Sequence, residues 1–574
     1  MVFVDYAILA FYLAGLFGIA AWLARRAAQG SDHYFLGGRR LPWWALGSSG
    51  MSSNLDAAGT MTILTLIYLY GLHGFFIEMR GGVVLPIAVF LAFMGKWHQR
   101  SGVVTTAEWM RLRFGPGAQG TAARVTAAFT YLVITVAMVV FFLAAAGTFL
   151  AVFLPWDPVT CAVAMALIGL AYTLVSGLYG VVWTDVFQSF LIAAAAAYVA
   201  VTASGLVSPE LVAAWPGAAF NDPLPRLADG GLAPYELFWV FLVFWVGKGV
   251  LEGLGGSGGS AYMAQRFYAA PSAAATRKVA MLWCVLFAVR WPMVLGFAVI
   301  AIHLGVGRED PEQILPLVLQ SEFFPAGVRG LIVAAIFAAS MSTFDSTINA
   351  GASYVVKDIF QPLRPRASER ILVVAGYAAS VLIVALGLFL ALTFADSVLG
   401  VWTMIVIQLF PAFLVPFALR WFWARFNGAG FTAGIVAGFA ASSAVSFGWG
   451  GLDLNEAQTL AFVGLVSLAG SLAGTFAAAP TDRATLEEFY ERVRPFGFWP
   501  AAWKAPHRRE LRGDLLRLPV ALVWQVSTFL LPMLAVLRMW GAFAAVLMIF
   551  AATGGYLLLE LRRGDGGVDG SARK

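Results

Sequence analysis

Within the apolar stretch 334 to 349, Ala339, Ser342, Thr343 and Ser346 stand at i, i+3, i+4 and i+7, so they share one stripe of a helix. Hydroxyl and carbonyl oxygens on such a stripe are hard ligands, a donor set suited to an alkali cation. Asp345 adds a carboxylate beside them. Polar groups in the middle of a membrane helix are costly to bury, which makes an ion site the functional reading. The structural reading is that each hydroxyl bonds to the carbonyl four residues earlier or to a neighbouring helix.

The elements that must carry the stripe are membrane helices. Of 574 residues 60% are hydrophobic and only 12% are charged, with a mean hydropathy of +0.81, the composition of a polytopic membrane protein. Apolar spans run 4–24, 42–70, 73–95, 121–152, 158–178, 180–204, 236–256, 277–304, 326–356, 370–395, 398–419, 429–448, 459–479, 517–537 and 540–560. That predicts about fifteen transmembrane helices, each near the roughly 20 residues that a bilayer demands. Most basic residues fall in alternate loops, among them Lys96, Arg100, Lys357, Arg364 and Arg366. This asymmetry predicts an outside N-terminus and a cytoplasmic C-terminus in the cell membrane. The net charge of +6 therefore reports orientation and gives no support to nucleic-acid binding. Both cysteines, Cys161 and Cys284, lie in apolar spans, which argues against a disulfide framework or a thiolate metal site. No catalytic constellation stands at a membrane face, so an enzyme is not expected, and no obligatory protein partner is evident.

Two spans are interrupted. The second carries Gly47, Gly50, Ser52, Ser53, Asn54, Asp56, Gly59 and Thr60, and the seventh carries Gly247, Lys248, Glu252 and glycines at 253, 255, 256, 258 and 259. Unwound backbone is tolerated at membrane depth where protein or a wet cavity satisfies it, and the freed carbonyls then become ligands. The two breaks begin corresponding five-helix units, so the halves 42–204 and 235–422 can be inverted repeats. Asn54, Asp56 and Thr60 on helix two, Glu78 on helix three, and Trp245, Lys248 and Glu252 on helix seven form a candidate solute pocket with an aromatic wall. Three partners are open to Lys248: Glu252 four residues on, Asp56 across the broken helices, or a solute carboxylate. A carboxylate, a sugar or polyol, or an amino acid would suit such a pocket.

Tyr34 to Trp44, Ser52 to Leu55, Gly177 to Gln188 with its Trp183, Thr184 and Asp185, the pair Gln265 and Arg266, and the helix through Lys357 to Phe360 occur in order over roughly residues 5 to 430. In these segments the chain resembles the sodium/solute symporter family, which includes sodium-glucose, proline and pantothenate symporters. The resemblance implies an all-α integral membrane protein with a LeuT-type 5+5 inverted repeat, an extra N-terminal helix and additional C-terminal helices. It also implies a sodium-coupled symporter that imports a small polar organic solute by alternating access, with one or two Na+. The family's main sodium site maps onto the carbonyls of Ser52, Leu55 and Ala339 and the hydroxyls of Ser342 and Thr343. Asp185 corresponds to a carboxylate that helps a second site in several members, and Asp345 with Ser346 would stand beside it.

The chain departs from that pattern in its intramembrane charge: Asp56, Glu78, Arg80, Lys248, Glu252, Arg290 and Asp345 all lie within spans. Lone ionised groups there need partners. Asp345 and Asp185 are expected to approach each other as an extra cation or proton site. The expected segments are an extra helix in 1–30, repeats at 42–204 and 235–422, two more helices in 427–479, a cytoplasmic amphipathic stretch in 480–516, and one or two helices in 517–574. A proton-coupled carrier of the same fold, recognised by sodium-independent uptake, and a non-transporting solute sensor are the alternative readings.

Overall fold

The computed structural model describes residues 1–27, 41–216, 238–256 and 261–565. In chain order run α1 (Phe3–Ala27), α2 (Trp43–Ser52), α3 (Ala57–Tyr70), α4 (His73–Ile77), α5 (Gly95–Ser101), α6 (Thr106–Phe114), α7 (Ala118–Ala151), α8 (Pro158–Leu206), α9 (Phe238–Leu254), α10 (Ala261–Tyr268), α11 (Ala273–Phe287), α12 (Arg290–Leu304), α13 (Val328–Tyr354), α14 (Glu369–Phe394), α15 (Val398–Thr403), α16 (Pro411–Phe422), α17 (Gly428–Ser446), α18 (Glu456–Ala477), α19 (Arg483–Val493), α20 (Arg508–Val536) and α21 (Trp540–Asp565). Among the described residues there is no strand, only an isolated bridge between Trp423 and Phe498. Nine helices there are long and apolar enough to cross a bilayer, or ten with the pair on either side of Phe410, which is bent by 44°. The other expected spans are short or broken, as in Phe3–Ile19, Ala57–Tyr70 and Pro158–Leu174.

Each break has a local cause. Ser53 ends α2, and Asp56 in an extended conformation caps α3, its carboxylate accepting the Gly59 N–H at 2.6 Å. The second break follows α9, with Gly256 at φ 74°. The Gly258 and Gly259 end of that interruption, and residues 34–40 of the first family segment, lie outside the described residues. Inside α8, Gly177 at φ 52° separates the spans expected at 158–178 and 180–204.

The third span is also broken, which its apolar run did not announce. After a 3-10 turn at Glu78–Arg80 the chain leaves the helix at Gly81 and Gly82 and restarts at Pro86, then widens into a π turn at Phe90–Met94. Gly82 supplies a positive φ of 59°, and proline at the first helical position loses no hydrogen bond. Carbonyls freed here are met from α20: the Gln525 amide donates to Val83 at 3.3 Å and to Val84, and Arg517 donates to Ala92 at 2.8 Å.

The helices pack as two groups. In one, α2, α3 and the broken third span pack with α9 to α12; in the other, α7, α13 and α14 pack with one another, and α8 joins them while also touching α2 and α12. Each half of the chain contributes to both groups, as an internal repeat requires. Glycine sets the closest approach within the first group. A Cβ on Gly50 would lie 2.2 Å from the buried ring of Trp283. Gly50→Ala is expected to cost about 1–3 kcal/mol through overpacking, read as a lower thermal unfolding midpoint in detergent. At the start of α13 the Asp5 carboxylate of α1 accepts the N–H groups of Gly327 at 2.8 Å and Gly330 at 2.9 Å. It thereby caps the helix that carries the hydroxyl stripe.

Candidate cation site and solute cavity

The break between α2 and α3 lies directly against the stripe of α13. Ser53 Oγ is 3.3 Å from Ser342 Oγ and 2.9 Å from Ser346 Oγ, and Ser340 accepts the Ala57 N–H at 2.9 Å. Ser52 and Leu55 flank Ser53 in this break, where the Ser52 carbonyl accepts the Leu55 N–H at 3.4 Å, and Thr343 bonds back to the Ala339 carbonyl at 3.0 Å. The two touching helices bring hydroxyl oxygens together, with the Arg266 guanidinium against Ser53 and Ser346.

Beside it, Asp185 on α8 is fully buried and accepts hydrogen bonds from Ser342, from Ser49 at 2.5 Å and from Ser53 at 3.4 Å. Its carbonyl accepts the Ser52 hydroxyl at 2.9 Å. Arg266 of α10, equally buried, lies 3.6 Å from the Asp185 carboxylate and donates to Ser49, Ser53 and Ser346 at 3.0, 2.8 and 2.6 Å. Asp345 shares the cluster: it interacts electrostatically with Asp185 and Arg266, and its Oδ2 is buried without a hydrogen-bond partner.

A second polar centre lines a small cavity of about 50 Å³. Its walls include Asn54, Asp56, Glu78, Tyr262, Arg290, Trp402 and Phe410. That volume holds one or two waters, so a solute is admitted only when a wall moves. Arg290 Nη1 holds the Asn54 carbonyl at 2.6 Å, and the Tyr262 hydroxyl donates to the Asn54 side chain at 2.9 Å. Arg290 Nε and Nη2 and Glu78 Oε2 are buried without hydrogen-bond partners. Gly59 makes room for this guanidinium, since a Cβ there would lie 2.1 Å from Nη2.

The other expected solute residues lie off the cavity. Thr60 donates to the Asp56 carbonyl at 2.6 Å, and the Trp245 indole donates to Glu456 at 3.2 Å beside the Arg80–Glu456 ion pair. Lys248 is paired with Glu252 at 2.8 Å and lies 4.9 Å over the Phe410 ring. Of its three open partners it has taken the nearest one on its own helix face.

Residues 34–438 match the profile of the sodium:solute symporter family. The chain belongs to that family. It is 26% identical over 486 residues to a sodium/glucose cotransporter of Vibrio parahaemolyticus, covering 76% of this chain and 83% of that one. It is 23% identical over 523 residues to a sodium/sialic acid symporter of Proteus mirabilis (strain HI4320), covering 85% and 97%. A solved sodium-coupled sialic acid symporter superposes with a TM-score of 0.68 at 22% identity, over 84% of this chain and 99% of that chain. This symporter therefore has the all-α LeuT-type fold, and it couples solute movement to sodium.

Several residues that shape this symporter's two centres were not picked out as site residues from the sequence. Ser49 and Ser53 fell in the recognised break, but their partner on α8 is remote in the chain. Arg266 stands in a family motif and Arg290 is a charge in need of a partner; a guanidinium in an apolar span is the available signal. Tyr262 carried no signal beyond its place after the second break.

Proposed function

We propose that this sodium-coupled symporter carries a small zwitterionic solute of the amino-acid type by alternating access, with an outside N-terminus and a cytoplasmic C-terminus. The observation that carries this reading is that Arg290 and Glu78, opposite in charge, line one cavity with buried polar atoms that no protein group hydrogen-bonds. A solute carboxylate would complete the first and an ammonium the second, with Asp56 adding negative charge nearby. Sodium would bind the oxygens of Ser52, Leu55, Ala339, Ser342 and Thr343, with Asp185, Asp345 and Ser346 beside them. By drawing the α2–α3 break onto α13 it would favour the conformation that binds solute, and linkage then requires solute to tighten sodium in return. The concentration of basic residues in alternate loops supports this orientation.

Relatives named for glucose, mannose and myo-inositol favour a second reading, a sugar or polyol bound by the same carboxylates. Uptake into proteoliposomes under separate sodium, potassium and proton gradients, against amino acids, sugars and monocarboxylates, separates the two. Arg290→Gln is expected to reduce amino-acid uptake at least about a hundredfold, since a charge-assisted bidentate contact is lost. Sodium-driven uptake confined to neutral sugars would replace the first reading with the second.

A further inference from the structure

The C-terminal helices divide between the two packing groups. Through α16 and α7, the pair α17 and α18 joins the group of α13, though α16 and α18 also touch α9, whereas α20 packs on α12 and the broken third span and carries α21 with it. Residues 478–507 are the covalent link between these pairs, and they cross the end of the molecule where α5, α6 and α16 terminate.

On the α6 and α16 side this crossing segment is firmly seated. Phe489 and Trp499 lie over the Arg113 guanidinium at 5.5 and 5.0 Å, the Trp499 indole donates to the Trp421 carbonyl at 2.9 Å, and the Ala424 N–H donates to the Phe498 carbonyl at 3.2 Å. Toward α5 the contacts are fewer. Arg492 donates to the Arg100 carbonyl at 3.2 Å at the C-terminal end of α5, and Arg100 donates back to the Val493 carbonyl at 3.5 Å. Phe496 packs on Phe93 and Trp97, with ring centroids 4.8 and 5.1 Å apart. Trp97 in turn closes on Trp421 and Phe422 of α16, completing an aromatic seal between the two groups. By contrast, Lys96 and Arg100 pair with Glu510, and Lys96 also with Asp514, which ties α5 to α20 inside its own group.

We propose that residues 478–507 form a latch that holds this end shut, Arg492 and Phe496 fastening α5 to the group of α13. The inference rests on the alternating-access reading, because only then must α5 part from α16. A cation over the last carbonyls of a helix stabilises that helix end, and an aromatic ring wedged on Trp97 resists its withdrawal. Both contacts are lost when the groups separate, whereas the Glu510 and Asp514 pairs survive.

The test uses the full chain in detergent with Cys161→Ala and Cys284→Ala. Ala270→Cys is added in the turn after α10, a position buried in this closed end, and N-ethylmaleimide is the probe. Arg492→Ala with Phe496→Ala should speed labelling in sodium about tenfold, the ratio that about 1.4 kcal/mol of lost closing contact gives. Arg492→Lys, which keeps a cation over the carbonyl, should stay slow. Thermal unfolding of each variant reports folding. Spin labels on Gln99→Cys and Glu488→Cys give a second measurement: one short distance in sodium, and an added longer one in the Arg492→Ala, Phe496→Ala background. If sodium and potassium change the labelling rate of Ala270→Cys but the latch substitutions change neither rate nor distance, the latch alone is overturned. A rate insensitive to ion in every background overturns alternating access and the latch with it.

Discussion

Replacing Ser342 and Thr343 together by alanine is expected to raise the sodium concentration for half-maximal uptake at least about a hundredfold. A hydrogen bond or contact to a charged group is worth about 1.5–3 kcal/mol, and two such oxygens, even discounted for non-additivity, exceed the roughly 2.7 kcal/mol that a hundredfold requires. Folding should survive. Thr343 bonds only back to Ala339 within α13, and Asp185 keeps Ser49, Ser53 and Arg266 when Ser342 is lost. The measurement is sodium dependence, by uptake in proteoliposomes and by stabilisation of the detergent-solubilised chain on adding sodium chloride. A sodium half-saturation equal to that of the unsubstituted chain would sink the assignment of the stripe.

Arg266→Met should be the more damaging change to stability. It strands the Asp185 carboxylate without a cation in a fully buried site and removes the donor shared by Ser49, Ser53 and Ser346. Breaking one side of a buried pair costs about 3–5 kcal/mol. Adding Asp185→Asn to Arg266→Met should recover a large part of the lost unfolding midpoint, because the stranded charge is then gone. Additive losses in that cycle would show that the two residues act independently.

The features legible in the sequence are those written within one helix turn or one break. The hydroxyls of α13 share a stripe because spacing alone puts them there, and the break at 53–56 follows from Asn54 and Asp56 competing for backbone hydrogen bonds. Lys248 and Glu252 pair at i, i+4 for the same local reason. What the sequence could not convey is which remote groups converge. The Asp185 and Arg266 pair needs α8 and α10 brought together by tertiary packing, and the same packing sends Trp245 toward Glu456 and away from the solute cavity. The break in the third span had a signal, Gly81 and Gly82 before Pro86, but an apolar run outweighed it. Its stability depends on Gln525 and Arg517, far along the chain and beyond the family-matched segment.

The pairing of Asp185 with Arg266, Lys248 with Glu252, and Arg80 with Glu456 has an electrical consequence. Each couple is neutral as a unit, so its displacement through the bilayer moves no net charge, and current through the symporter is left to the sodium it carries and to the charges outside these couples, Asp56, Glu78, Arg290 and Asp345. A membrane voltage of about 100 mV then performs roughly 2.3 kcal/mol of work on each sodium ion. That work on sodium can be spent on concentrating solute.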